Sequence, residues 1–310
     1  MKRTAVVGIA AGVAVALVGA IAWWALTRPP SVEDAARDYL AALSAGDFAA
    51  IDAMRGTDLD EDAERILTDA FAGADAFVAE PRVEDIAPDA EMTKVRASAL
   101  IAGERRDVSF ALRDDGGTWK LTGDYLASLE VTVLAGTDAP LGDSVWVGDA
   151  LAPTGSSVLL LPAEYPVHAA PRGLLTGAAS VPLSTDGAIT IRIEASLTPE
   201  ASAAGQKELD AYAAACTQPA PTVPLNCGLR IPWAADLAML GSLVFRVEQV
   251  PVLTFAADHR TFAATGGVVI ATATGVTRDG ETATFTYRAD DWALRGTVTF
   301  QGDEMLLAVG

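Results

Sequence analysis

Histidine and cysteine are the scarce residues of this chain, with two of each in 310 residues. Zinc sites draw several ligands from His, Cys or acidic side chains. Here Cys216 and Cys227 would have to recruit His168 or His259. A Ser-His-Asp arrangement would need one of the same two histidines. His168 lies in Glu164-Tyr165-Pro166-Val167-His168, an alternating stretch, and His259 in the polar run Asp258-His259-Arg260. Both read as structural or solvated residues. There is no HExxH, no P-loop, no GxGxxG after a strand and no GxSxG, and no Ser is followed three residues later by Lys. The expectation is a protein that is not an enzyme, with no catalytic residue, no metal and no cofactor.

Positive charge is also sparse. Lys and Arg number 22 against 41 acidic residues, a net charge of -19. Without clustered cations the chain cannot release counterions from a phosphate backbone, so nucleic acid is excluded as a partner. The acidic surface reads as a solubility feature. Acidic clusters invite a metal reading, but Asp58-Leu59-Asp60-Glu61-Asp62 lacks the spacing, central Gly and final Glu of a calcium loop. It precedes a helical pattern, where acid favours the helix N-terminus. Asp290 and Asp291 read as a solvated turn before Trp292.

What the chain does have is one long apolar run. Thr4 to Leu26, TAVVGIAAGVAVALVGAIAWWAL, carries no charge and exceeds the roughly 20 residues needed to cross a bilayer core. Lys2 and Arg3 precede it, and Trp23 and Trp24 sit near its far end. Basic residues stay on the cytoplasmic side and Trp favours the headgroup level. The reading adopted is a transmembrane helix in the cell membrane, single-pass, with its N-terminus cytoplasmic and the C-terminal region extracytoplasmic. A cleaved signal peptide is the rival, since Ala20-Ile21-Ala22 fits a small-x-small cleavage site. The protein would then be secreted. No second run of this kind follows, and much of the 51% hydrophobic content is Ala.

On the outer side of a membrane, the close pair Cys216 and Cys227 reads as a disulfide bond. It would close a short loop, worth about 3 kcal/mol on the chain-entropy account.

Arg28-Pro29-Pro30-Ser31 ends the anchor. Ser31 reads as an N-cap with Glu33 and Asp34 in the first turn. The apolar positions Val32, Ala35, Ala36, Tyr39, Leu40 and Leu43 give one helical face. Gly46 stops this helix, Phe48 to Met54 forms a short second one, and Glu61 to Val78 a third. Period-two patterns then predict strands over Arg82–Ile86, Thr93–Ile101, Arg106–Leu112 and Thr118–Leu121. Asp114-Asp115-Gly116-Gly117 forms a hairpin turn between the last two. Trp119 reads as a core or rim residue.

From Leu129 the chain is mostly strand. Ser184-Thr185-Asp186-Gly187 is read as a hairpin between Val181–Leu183 and Ala188–Ala195. Thr198-Pro199-Glu200 opens one clear helix running to about Ala215. Beyond Leu243 six strands are expected: Val244–Val252, Thr261–Ala264, Val268–Thr274, Glu281–Tyr287, Trp292–Phe300 and Met305–Val309.

Val32 to Met54, VEDAARDYLAALSAGDFAAIDAM, together with Asp114 to Leu121, DDGGTWKL, resembles nuclear transport factor 2-like domains. That family implies a cone-shaped α+β fold, with three helices on a curved antiparallel sheet that often encloses a pocket. Related domains form the N-terminal region of some penicillin-binding proteins, but the transpeptidase domain of those proteins is missing here. Where cone-fold relatives are enzymes, they use Asp, Tyr or His inside the cone. Neither histidine falls in that region, which leaves Asp38, Tyr39 or Tyr125 for an acid/base. The remainder is similar to anchored envelope proteins of Gram-positive bacteria. That similarity rests on Leu160 to Val167, LLPAEYPV, and on the Cys216 to Cys227 loop after a helix.

The expected fold class is therefore α+β, with an N-terminal transmembrane helix, a nuclear transport factor 2-like cone, and a mostly-β C-terminal region with one helix. The expected domains are 1–30 (cytoplasmic stub, transmembrane anchor and Pro-Pro exit), 31–127 (cone) and 128–310 (β-rich), with a further division into 128–197 and 198–310 left open. The expected function is a non-catalytic binding or assembly module of the cell envelope, whose partner is an envelope protein or a cell-wall ligand. An enzyme acting on a small molecule in the cone pocket is the alternative.

Overall fold

A computed structural model of the chain describes residues 30–89 and 91–310. The apolar run Thr4 to Leu26 lies outside the described residues. Among the described residues no helix is long and apolar enough to cross a membrane. Among the described residues strands make up 50% and helices 19%, so the class is mostly β and not the expected α+β. The added strand is spread along the chain: unexpected strands such as Thr137–Pro140 and Ala150–Pro153 appear, and expected ones run longer, as in Thr261–Val276 and Thr282–Gln301.

The chain divides into two compact units. The first comprises residues 30–59, Phe77–Leu126 and Ser184–Asp186. The second comprises Asp60–Ala76, Ala127–Leu183 and Gly187–Gly310.

In the first unit, helix α1 (Val32–Ala45) begins as its cap chemistry dictates. Ser31 accepts from the Asp34 amide, and the Asp34 carboxylate accepts in turn from the Ser31 amide, closing a capping box. The helix ends at Gly46, whose φ of 67° is left-handed. A Cβ there would also lie 2.2 Å from the Phe77 ring, so only glycine fits. Helix α2 (Phe48–Met54) follows, capped by Asp47. The two-residue strand β1 (Ala76–Phe77) lies where the chain passes between units.

Strands β2 (Ala79–Pro88), β3 (Thr93–Ile101), β4 (Glu104–Asp115) and β5 (Thr118–Thr122) form an antiparallel sheet in that order. The β4–β5 turn is the expected one, with Gly116 and Gly117 both at positive φ and the Gly117 amide donating to Asp114 at 2.7 Å. The core of the unit is formed by Tyr39, Leu40 and Leu43 of α1 with Val95, Phe110 and Leu112 of the sheet, all buried.

Helix α3 (Glu61–Ala72) is the expected third helix, but it ends six residues early and belongs to the second unit. It buries Ile66, Leu67, Ala70 and Phe71. It packs on strands β9 (Ala150–Pro153), β10 (Ser157–Leu160) and β11 (Ala163–Ala169). A cone with three helices on one sheet is thus not what this unit division gives.

In the second unit, β6 (Ala127–Ala135) is flanked by β10 and, in parallel, by β13 (Ile189–Glu194), with β7 (Thr137–Pro140) also paired to it. Strand β11 pairs with β8 (Ser144–Val147) and β12 (Ala178–Leu183), and β8 pairs with β9. So β12 and β13 do not pair with each other, and Ser184–Gly187 is not a hairpin turn. Strand β12 pairs back on β11, the strand before it, while β13 pairs with the distant β6, and Ser184–Asp186 joins the first unit, where Thr185 Oγ1 accepts from the Ser109 amide at 2.6 Å.

The rest of the unit is helix α4 (Pro199–Cys216) and the strands β14 (Met239–Gln249), β15 (Val252–Phe255), β16 (Thr261–Val276), β17 (Thr282–Gln301) and β18 (Glu304–Val309). Thr198 caps α4 by accepting from the Ala201 amide, with Pro199 in the first turn. Strands β14 and β15 pair with different stretches of β16, which pairs with β17, and β17 with β18.

Strands β16 and β17 were each expected as two. They are continuous because two bulges offset one another. Thr265 and Gly266 oppose Ala293, and then Asp290 and Asp291 oppose Val268, after which the register is restored. Asp290 and Asp291 therefore sit in a strand bulge and not in a turn. Leu209 and Ala213 of α4 pack with Leu253, Phe262, Val269, Trp292 and Leu294 of the sheet. Trp292 is 1% exposed. A buried ring of roughly 200 Å² contributes about 5 kcal/mol at ~25 cal/mol per Å².

Candidate functional site

The residues suggested for acid/base work in the first unit come together only in part. Asp38 is exposed on α1, on the side away from the core. Tyr39 is fully buried, and Phe110 meets its ring edge-on with centroids 4.6 Å apart. Its hydroxyl donates to the Tyr125 carbonyl at 3.4 Å. Burial, and then the neighbouring Tyr125, push the Tyr39 phenol far above its ordinary pKa.

Tyr125 is also raised, chiefly by burial, against the opposing pull of Arg55, which hydrogen-bonds to it. Arg55 in turn pairs with Asp52 at 2.6 Å. Both phenols are buried and hold their protons more tightly than usual, and the Tyr39 hydroxyl ties α1 to the segment that follows β5. An open groove of about 550 Å³ in the same unit is lined by Met92, Lys94, Phe110 and Asp124, among others, and includes neither tyrosine.

The other sequence candidates lie apart. Asp60 caps α3 by accepting from the Ala63 amide at 2.9 Å, with Glu61 and Asp62 in the first turn. Trp119 is a half-buried rim residue whose indole donates to the Pro30 carbonyl at 2.9 Å. His259 sits in a turn at a φ of 54°. The neighbouring Asp258 accepts from the amides of Arg260 and Thr261, which hold its carboxyl below the usual range.

His168 is exposed on β11, in register opposite Trp146. Arg172 lies over the Trp146 ring at 4.1 Å. Asp303 Oδ1 accepts from both the Trp146 indole and the Arg172 amide, each at 2.8 Å. That cluster is a latch made of satisfied groups. Among the described residues no group of His, Cys, Asp or Glu is placed to hold a metal ion.

Cys216 and Cys227 form the expected disulfide, with Cα atoms 5.6 Å apart, and both are buried. The bond ties the last residue of α4 to the loop that follows. Two more contacts fix that loop. Tyr212 of α4 donates its hydroxyl to the Asn226 carbonyl at 2.9 Å, and Trp292 donates its indole N–H to the Cys227 carbonyl at 2.8 Å. Gly228, at a φ of 62°, passes so close to β17 that a Cβ would lie 2.0 Å from the Ala293 oxygen.

A cleft of about 360 Å³ opens beside this loop. Its lining includes Asn226, Gly228, Arg230, Asp291, Arg295 and Gly310. The alternation of β17 sends Trp292 and Leu294 into the core and leaves Asp291 and Arg295 exposed. Arg230 is exposed between buried Leu229 and Ile231. Neither arginine makes an ion pair within 4.0 Å with any described residue, Asp291 included. Several other arginines are paired, Arg37 with Glu33 and Asp34, Arg96 with Asp85, Arg288 with Glu248 and Asp290, while Arg113 and Arg192 on other strands likewise make no ion pair among the described residues.

The cleft thus offers two guanidinium groups without ion pairs and one side-chain carboxylate, beside Gly310, on a floor fixed by the disulfide loop. Such an arrangement of charges can recognise a ligand that carries both signs. Sequence reasoning passed over Arg230 and Arg295. Their one sequence signal was the outward position of Arg295 in an alternating strand. No protein-family model matches the chain, and no curated protein or solved structure matches it.

Proposed function

We propose that the chain is a single-pass, membrane-anchored extracytoplasmic protein whose folded units bind a partner and do not catalyse. The Cys216–Cys227 disulfide carries this reading. Such bonds persist outside the reducing cytoplasm. The apolar run Thr4 to Leu26, with Lys2 and Arg3 before it and Trp23 and Trp24 near its end, supplies the anchor and its orientation. Tyr39 and Tyr125, the groups nearest to catalytic candidates, are sealed in a core. The partner class is an envelope protein or a cell-wall ligand.

Fractionation with surface proteolysis tests this. The full-length chain should stay in membranes through an alkaline wash and be cut by protease added to the outside of intact cells. Recovery in the cytosol would refute the reading. Recovery from the medium, shortened near residue 22, would replace the anchor with a cleaved signal.

A further inference from the structure

We propose that the cleft beside the disulfide loop binds a short peptide as a zwitterion, its carboxylate held by Arg230 and Arg295 and its ammonium group by Asp291. The proposal deepens the binding reading and rests on it. Three observations carry it.

The first is uncommitted charge. Two arginines line one cleft with no carboxylate within ion-pair distance among the described residues, in a chain with 41 acidic residues. Arginine's planar fork matches a carboxylate through two parallel hydrogen bonds.

The second is spacing. Asp291 and Arg295 stand four residues apart on the same outward face of β17, about 13 Å along an extended strand. This distance accounts for the missing ion pair between them. It also selects the ligand. A single amino acid carries its two charges too close together to reach both ends. A dipeptide or tripeptide spans roughly 7–10 Å when extended, and the Asp and Arg side chains cover the remainder. The volume of about 360 Å³ falls in the range of small-ligand sites.

The third is the field of the whole molecule. At a net charge of -19 the protein repels anions at long range. A zwitterion of zero net charge escapes that repulsion and still satisfies the arginines locally. The floor of the cleft is held by the disulfide, by Tyr212 and by Trp292, so little ordering is needed on binding.

The test is calorimetric titration of the purified full-length protein in detergent micelles with triglycine, N-acetyltriglycine, triglycinamide and glycine. Triglycine should bind. Blocking either end, or shortening to glycine, should weaken binding. Arg230→Gln and Arg295→Gln should each reduce triglycine affinity by about tenfold or more, the usual cost of a lost charged hydrogen bond. Asp291→Asn should reduce affinity for triglycine and leave N-acetyltriglycine unchanged. All three side chains are exposed, and circular dichroism checks that the variants stay folded.

No binding of triglycine would overturn the proposal. So would binding indifferent to Arg230→Gln and Arg295→Gln, or a uniform loss for all ligands in Asp291→Asn. The titration is independent of where the chain resides, so its failure would leave the anchored reading standing, and failed fractionation would leave the cleft's chemistry intact.

Discussion

Trp292 donates its indole N–H to the carbonyl oxygen of Cys227 at 2.8 Å, across 65 residues of sequence. The indole is 1% exposed, so the bond joins the core of the long sheet directly to the disulfide loop. Trp292→Phe keeps most of the ring and removes the donor, leaving a buried carbonyl short of a partner. The expected loss is about 1–2 kcal/mol of stability, against roughly 3–5 kcal/mol for Trp292→Ala, which also leaves a cavity. Urea unfolding followed by near-ultraviolet circular dichroism separates the two. Equal losses would show that the hydrogen bond contributes little.

Gly228 is the tightest point of the loop. Its φ of 62° and the Ala293 oxygen 2.0 Å from a would-be Cβ exclude any side chain. Gly228→Ala should cost on the order of 2 kcal/mol or more, because backbone strain and a steric clash add. It should also shift the cleft, so that the same variant loses triglycine binding. A thermal midpoint equal to the parent's would mean that the loop relaxes freely there.

The buried phenols set an alkaline limit. Below about pH 10 the tyrosines of the folded and unfolded chain all keep their protons. Above it the unfolded chain releases protons that folded Tyr39 and Tyr125 retain, since both are shifted upward by burial. Tyr287 adds to this, pushed up to about 12 by desolvation and by its hydrogen bond to Asp236. The unfolded state then binds fewer protons, so stability falls as pH rises. Tyr39→Phe should flatten the decline between pH 10 and the folded-state pKa. Unfolding free energies measured at pH 8 and above pH 10 check this, and an unchanged slope in the variant would contradict it.

Local chemistry was legible in the sequence where local chemistry decides. Ser31 with Asp34, Thr198 with Pro199, and Asp114 with Gly117 mark helix starts and a turn because their side chains or rings act within three or four residues. Two of the misreadings concern partners farther along the chain. Gly266 and Gly267 look like a strand break, yet opposing bulges at Thr265–Gly266 and Asp290–Asp291 carry both strands through. Ser184–Gly187 has the composition of a hairpin turn, but β13 pairs in parallel with β6, a choice made by strands more than fifty residues apart. The cleft was hidden for the same reason. Arg230 and Arg295 share it where Gly228 brings the loop close against Ala293.

The most direct test of the account is the redox state of Cys216 and Cys227 in the chain as it sits in its native membrane. Cells would be lysed directly into denaturant containing a thiol-alkylating reagent, with and without prior reduction, and the full-length protein weighed by mass spectrometry. The account predicts no alkylation before reduction and two adducts after it, on a chain that still carries Thr4 to Leu26. Two adducts without prior reduction would place the pair in a reducing compartment and contradict the extracytoplasmic reading.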